Sequence, residues 1–232
     1  MGFKRVWDSS CPRVWDKWES NGTTWVIRDL PPEDDEEALR ILVENLCVDE
    51  ALCQLHNLKE DQLSIDSLKK FWRGYLSKRM TLACYEEKNG KSKLVALNVC
   101  LVICEGEKAD DVIEGEPWKI VYGALKVAQE SVDAFKYLGL DKILYARGLV
   151  VDREYRGAKL GSRILEARKP LSLYHGIKGT SAVFTGPASQ VSAARAGFET
   201  ISTVTLKQLA ESGLNYPKDE TRSLKVMVKK FE

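Results

Sequence analysis

Two stretches of this chain carry residue types that chemistry needs. The first runs from Ile143 to Ala167, ILYARGLVVDREYRGAKLGSRILEA. Its apolar, β-branched opening, Ile143 to Val151, reads as a buried strand. A charged turn follows, Asp152-Arg153-Glu154-Tyr155, then Arg156-Gly157-Ala158-Lys159-Leu160-Gly161, and Leu160, Ile164, Leu165 and Ala167 recur at helical spacing. A strand ending in a basic, glycine-bearing turn that opens a helix aims backbone N–H groups and a positive helix end at one spot. That spot suits a phosphate or a pyrophosphate. The second stretch is Asp49-Glu50, two adjacent acids just past the apolar stripe of a helix, which alone would read as a solvated turn.

Other reactive groups are few. The chain has two histidines. His175, in the turn after the loop helix, reads as a surface residue, and His56, six residues beyond Glu50, as structural or exposed. Six cysteines (Cys11, Cys47, Cys53, Cys84, Cys100, Cys104) are scattered without a CxxC pair. Four sit inside apolar patterns as small core residues, so reduced thiols are expected and a zinc site is not.

The elements that must position these groups follow from periodicity. Residues 1–22 hold Trp7, Trp15 and Trp18, which should pack onto the body of the protein. Thr23 to Leu30 reads as a first strand, broken by Pro31-Pro32. The acids Glu33 to Glu37 then open an amphipathic helix through Ala38, Leu39, Ile41, Leu42 and Leu46. Ser64 reads as the N-cap of a second helix carrying Leu68, Phe71, Trp72, Tyr75 and Leu76. Met80 to Glu86 and Leu94 to Ile103 form a hairpin through Lys88-Asn89-Gly90-Lys91. The acidic segment 105–116 is a loop, and Trp118 to Tyr137 a long helix closed by Gly139. After the loop helix come a strand at Thr180 to Phe184, a helix at Ser189 to Ala196, a strand at Thr200 to Leu206, a connection at Glu211 to Asp219 and a last strand at Leu224 to Phe231. The expected class is α/β, a mixed sheet with helices on both faces, in a single domain over 1–232.

Composition narrows the partners. With 35 basic and 34 acidic residues the formal net charge is +1, so no global field points to nucleic acid or an anionic membrane. No apolar run approaches the ~20 residues that span a bilayer, and Met1 to Trp7 has no stretch fit for a signal peptide. A cytoplasmic monomer is expected.

The second half of the chain is more specific. Leu165 to Leu171 (LEARKPL), Gly176-Ile177, Thr180 to Gly186 (TSAVFTG), Ser189-Gln190 and Ala193 to Phe198 (AARAGF) occur in one order. Asp29 to Asp34 (DLPPED) and Val48 to Cys53 (VDEALC) precede them. Together with the turn Arg156 to Gly161, this set resembles the insect arylalkylamine N-acetyltransferase-like branch of the GNAT acetyltransferase superfamily, over nearly the whole chain. The turn is similar to that superfamily's acetyl-CoA pyrophosphate loop, Gln/Arg-x-x-Gly-x-Gly/Ala. Lys159 stands at the usual middle glycine, and because a lysine takes φ > 0 only at a cost, ordinary helical angles are expected there. Ala51 replaces a usual proline.

The resemblance implies a GNAT fold: a central, mostly antiparallel sheet that splays into a V-shaped cleft. It implies acetyl-CoA as cosubstrate, no metal, and a small primary amine as acceptor, with neither nucleic acid nor membrane as partner. Cofactor contacts would come from Gly148, Leu149, Val150 and Val151 and from Arg156, Gly157, Ala158, Lys159, Leu160, Gly161 and Ser162. Glu50 would be the general base. An amine of pKa roughly 9–10 is about 1% neutral or less at pH 7, so a carboxylate must help remove its proton. Backbone N–H groups at Gly148 to Val151 would meet the charge on the acetyl oxygen. Thr185 and Ser189 fall where related enzymes place two hydroxyls; a tyrosine acid found in many relatives is replaced by Ala193, leaving Ser189 as proton relay or helix cap. Arylalkylamines such as dopamine, tyramine, serotonin and tryptamine are the expected acceptors, with Trp25, Phe71, Trp72 and Tyr75 as pocket wall or core. Polyamines, agmatine or other aliphatic amines are the alternative, the acidic segment 105–116 suiting a dicationic one if it reaches the cleft, and a non-catalytic CoA-binding homologue is a further one.

Overall fold

Two Asn-Gly turns start the sheet. Asn21-Gly22 has φ of 52° and 72°, and Asn89-Gly90 has 51° and 72°. Such left-handed pairs match the twist of the strands they join. The first joins β1 (Val14–Ser20) to β2 (Thr23–Asp29), and the second joins β3 (Leu82–Lys88) to β4 (Lys91–Cys104). The expected second hairpin is therefore present, while β1 is an addition: part of the tryptophan-rich leader is itself an edge strand. The computed structural model describes residues 2–107 and 110–232; Lys108 and Ala109 of the acidic segment lie outside the described residues.

The remaining strands are β5 (Lys142–Val151), β6 (Gly179–Phe184), β7 (Glu199–Thr205) and β8 (Ser223–Lys230). The sheet order is β1-β2-β3-β4-β5-β6-β8-β7, and every neighbouring pair is antiparallel except β5 and β6. The sheet is thus mixed and mostly antiparallel, as expected.

Helices cover both faces. In chain order they are α1 (Asp35–Ile41), α2 (Cys47–Asp49), α3 (Ala51–Leu55), α4 (Gln62–Leu76), α5 (Glu116–Glu130), α6 (Ala134–Leu138), α7 (Leu160–Tyr174), α8 (Pro187–Arg195) and α9 (Leu206–Glu211). Alternation along the strands sorts the core. Leu97 and Tyr145 pack with Leu39, Phe71 and Trp118 of α1, α4 and α5. Their neighbours Ala96 and Leu144 pack with Leu160 and Ile164 of α7 on the other face. Cys47, Cys53, Cys84 and Cys100 are buried, and all six cysteines are free thiols. Among the described residues no helix is long and apolar enough to cross a membrane.

Among the boundaries that differ from expectation, three have a clear local cause. Asp61, not Ser64, caps α4, accepting from Ser64 N at 3.0 Å. Ser64 Oγ instead accepts from Trp118 N at 3.1 Å and holds the start of α5. Gly115 makes that approach possible: its φ is 82°, and a Cβ there would lie 2.2 Å from Ser64 Oγ. The long helix expected from Trp118 to Tyr137 is two, α5 and α6, the second opened by Asp133 accepting from Lys136 N and closed by left-handed Gly139. The strand expected to reach Leu206 stops at Thr205, whose capping box with Gln208 opens α9.

The N-terminal segment straps the outer edge. Arg5 Nη1 donates to Asp29 Oδ1 at 2.8 Å, with both residues buried. His175 sits half-buried beneath this strap, edge-on to Phe3 at 5.7 Å. Burial, then the nearby Arg5 charge, pushes its pKa down to about 4. The unfolded chain, with an imidazole pKa of about 6.5, therefore takes up a proton first on acidification. This contribution leaves stability unchanged above about pH 6.5 and erodes it as pH falls towards 4. The melting temperature of His175→Gln, followed from pH 7 to pH 4.5, should decline less than that of the parent; parallel curves would remove His175 as the cause.

Candidate active site

β5 and β6 pair at only two positions, Leu144 with Thr180 and Tyr145 with Ser181. Beyond Tyr145 they part, and a cleft of about 840 Å³ opens between them. Every predicted site residue except Ala158 lines it, from Glu50 through Gly148–Val151, Arg156, Gly157 and Lys159–Ser162 to Thr185 and Ser189.

A β-bulge shapes its floor. On β4, Asn98 pairs with Leu149 and Cys100 with Ala146, so the single residue Val99 faces two on β5, Arg147 and Gly148. Gly148 takes φ of 148°, where a side chain would be strained. Both bulge carbonyls are held: Trp72 Nε1 donates to Arg147 O at 2.9 Å and Asn98 Nδ2 to Gly148 O at 2.6 Å. Asn98 is fully buried, and a lone amide inside the apolar run of β4 was a signal that sequence reasoning passed over.

The turn after β5 opens α7, a helix whose N-terminus has no side-chain cap. The N–H groups of Leu160, Gly161 and Ser162 belong to its first turn, which lacks helical acceptors. With Arg156 and Lys159 beside them they form an arrangement of the kind that suits an anion. Lys159 corrects the expectation of helical angles: φ is 59° and ψ 18°, left-handed, as the middle glycine of such a loop would be. The turn's path into the helix outweighs the local penalty on a β-carbon, roughly 1–2 kcal/mol.

Glu50 is placed by a break. The segment after α1 runs through a π-helical turn, Leu42–Leu46, into α2, and Glu50 then leaves helical angles at φ −71° and ψ 133° to become the N-cap of α3. Glu50 Oε2 accepts from Cys53 N at 2.8 Å, and Oε1 accepts from the Thr185 hydroxyl at 2.5 Å. The second bond joins two residues that line the cleft. Ala51 occupies the first helical position after this cap, where a proline is favoured because its missing N–H would be unbonded anyway. Alanine there leaves the Glu50 cap intact. Ser189 Oγ donates to Gly186 O at 2.9 Å, one turn back, which is a helix-start bond within α8.

Asp49 is no solvated turn residue. Its carboxylate pairs with Arg153 and with Arg156, each at 2.7 Å, tying α2 to the turn before α7. The hydrogen bond from Arg153 holds its carboxyl below the usual range. These partners are 104 and more residues away, so no local pattern announces them.

Aromatic side chains form part of the wall. Phe71, Trp72, Trp118 and Tyr145 line the cleft, with the Arg147 guanidinium stacked on the Tyr145 ring at 4.8 Å. Trp25 lies in the core on the other side of the sheet, and Tyr75 donates to Asp111, so neither forms the wall. Burial pushes the Cys47 thiol up to about 12, and burial with the Glu50 charge pushes Cys53 up as well, so both remain protonated beside the acid. Burial lowers the pKa of His56, which does not line the cleft. Among the described residues no three His, Cys, Asp or Glu side chains are grouped to hold a metal ion.

No family model matches the chain, and no curated protein matches it. Solved structures do. A protein of the yellow fever mosquito Aedes aegypti, assigned as arylalkylamine N-acetyltransferase 7, superposes with a TM-score of 0.91 at 28% identity, over 99% of this chain and 100% of that one. Arylalkylamine N-acetyltransferase 2 of the same mosquito matches with a TM-score of 0.74 at 18% identity, over 90% and 99%. Polyamine N-acetyltransferase of Drosophila melanogaster matches with a TM-score of 0.68 at 17% identity, over 89% and 100%.

The left-handed lysine provides a test of the loop. Lys159→Gly should raise stability by up to about 1 kcal/mol, a rise of roughly 2–4 °C in melting temperature. Lys159→Val, β-branched, should lower it. Equal melting temperatures for all three forms would show that the turn is unstrained.

Proposed function

We propose that this chain, which belongs to the insect arylalkylamine N-acetyltransferase-like branch of the GNAT superfamily and is an acyltransferase, transfers acetyl from acetyl-CoA to the primary amine of small arylalkylamines. It would do so as one domain over 1–232, by direct attack with both substrates bound. The observation that carries this reading is the Glu50 carboxylate, fixed by α3 and Thr185 on the rim of a cleft whose floor is the β5 bulge.

The residues divide the work by chemistry. The first turn of α7, with Arg156 and Lys159, would hold the pyrophosphate, and the unpaired edge of β5 from Gly148 to Val151 the pantetheine. For Arg156 to serve, it must turn from or share its bond with Asp49. Acetyl-CoA supplies the thioester carbonyl. Glu50, directly or through a water, takes the proton as the amine nitrogen bonds to that carbon and the carbonyl electrons move to oxygen. The carbonyl then re-forms and the C–S bond breaks. The departing thiol has a pKa near that of cysteine, about 8.5, so it needs little help from an acid at neutral pH. Ser189, bonded back to Gly186, fits a helix-start role better than a relay. The protonated Cys47 and Cys53 offer no nucleophile for an acyl-enzyme.

The acceptor class follows from the wall. Phe71, Trp72, Trp118 and Tyr145 suit an aryl group. A polyamine or agmatine carries a second cation, and among the described residues the lining acids are Glu50 and the doubly paired Asp49. None of the described residues of 105–116 lines the cleft, and Asp111 is occupied by the hydroxyls of Tyr75 and Tyr122. The cations that line it, Arg147 with Arg156, Lys159, Arg168 and Arg195, would repel a second ammonium. These features favour arylalkylamines over polyamines.

Thiol release from acetyl-CoA should be greatest with tyramine, dopamine, serotonin and tryptamine and least with agmatine and spermidine. Turnover of agmatine or spermidine alone would transfer the acceptor to the polyamine class, and silence with acetyl-CoA still bound would favour a non-catalytic homologue. Glu50→Gln should cut kcat about 10²–10⁴-fold with the fold intact; unchanged turnover would remove Glu50 as the base.

A further inference from the structure

Arg168 lies in α7 with 0% of its surface exposed, behind the bulge of β5. Its Nε donates to Asn98 Oδ1 at 2.8 Å and its Nη1 to Thr180 Oγ1 at 3.2 Å. Thr180 in turn donates to Leu144 O at 2.7 Å, and the Phe198 ring lies 5.4 Å from the guanidinium carbon. The titratable groups acting on it are Cys100 and Tyr145, both neutral at pH 7, and no carboxylate is among them. A guanidinium remains charged at physiological pH. Burying one without an anion is costly, and replacing a buried charge by an apolar side chain of similar volume commonly stabilises a fold.

The charge has an outlet. Asn98 accepts from Arg168 through Oδ1 and donates through Nδ2 to Gly148 O at 2.6 Å. A trans peptide points its N–H away from its carbonyl. With Gly148 O turned to Asn98, the Leu149 N–H of the same peptide is directed away from Asn98, towards the open side of β5. Hydrogen bonds in such a chain polarise one another, most strongly where water is excluded.

We propose that Arg168 is a positioning residue which, through Asn98, polarises the Gly148–Leu149 peptide and strengthens its N–H as the donor meeting negative charge on the acetyl oxygen. This inference rests on the acyl-transfer reading above. Arg168 borders the cleft but has no exposed surface, so it acts through two hydrogen bonds. Its effect grows as charge develops on the acetyl oxygen, so it bears on the transition state more than on ground-state binding.

The test compares the parent with Arg168→Met, which keeps length without charge, and Arg168→Lys, which keeps charge. In Arg168→Met kcat should fall about tenfold or more, while the Kd for CoA stays within about twofold and the melting temperature holds or rises. Arg168→Lys should recover part of kcat. Isotope-edited infrared spectra of bound ¹³C-acetyl-CoA should show the carbonyl stretch of the parent shifted to lower frequency, and less so in Arg168→Met. A residue that only supports the fold would lower the melting temperature and weaken CoA binding together, leaving the carbonyl frequency of the bound fraction unchanged, and that result would overturn the proposal. Should Arg168→Met fail to fold, Asn98→Asp serves: it neutralises the guanidinium in place and removes the donor to Gly148 O. Intact kcat in that variant would equally overturn the proposal. A parent that turns over its amine while Arg168→Met shows an unaltered kcat and carbonyl frequency defeats the Arg168 inference alone. A parent that does not bind acetyl-CoA defeats the acyl-transfer reading and this inference with it.

Discussion

The parting of β5 from β6 is the constraint on which the site depends. Two strands that stayed paired to their ends would leave no cleft, and every backbone group of β5 would be satisfied by a neighbour. Pairing here stops after two positions, and the bulge opposite Val99 turns the rest of β5 away. Side chains occupy the bulge carbonyls, Trp72 that of Arg147 and Asn98 that of Gly148. Trp72 comes from α4 on one face, and Asn98 of β4 is held from the other face by Arg168 of α7, so the core and the cleft are built by the same contacts.

The second dependence is on the segment 47–51. It sits between α1 and α3 at a change of backbone direction and is tied on two sides, by Asp49 to the turn after β5 and by Glu50 to Thr185 after β6. These ties span the two strands that part. The acid proposed as base and the arginine proposed for pyrophosphate binding are thus coupled through adjacent residues, and binding at the turn should be felt at Glu50.

Much of this was legible from the residues. The run Ile143 to Ala167 declared strand, turn and helix because glycines, basic residues and apolar spacing all agree. Asn89-Gly90 declared its hairpin. Asn21-Gly22 carried the same signal but was overshadowed by the tryptophans around it. Ser64 and Asp61 are both cap-forming residues three positions apart, and only α5 packing on Ser64 decides between them. Lys159 shows tertiary geometry overriding a local preference, since the turn requires a left-handed residue whatever its side chain. The pairs Asp49–Arg156 and Arg168–Asn98 join residues far apart in the chain, and only the topology of the sheet brings them together.

The central claim is that the cleft between β5 and β6 is the acetyl-CoA site. Amide hydrogen exchange with and without acetyl-CoA tests it most directly. The account predicts slowed exchange confined to peptides covering 148–151, 156–162 and 185–189, with the outer strands β1 and β7 unaffected. Protection elsewhere, or binding that leaves the turn before α7 unprotected, would contradict it.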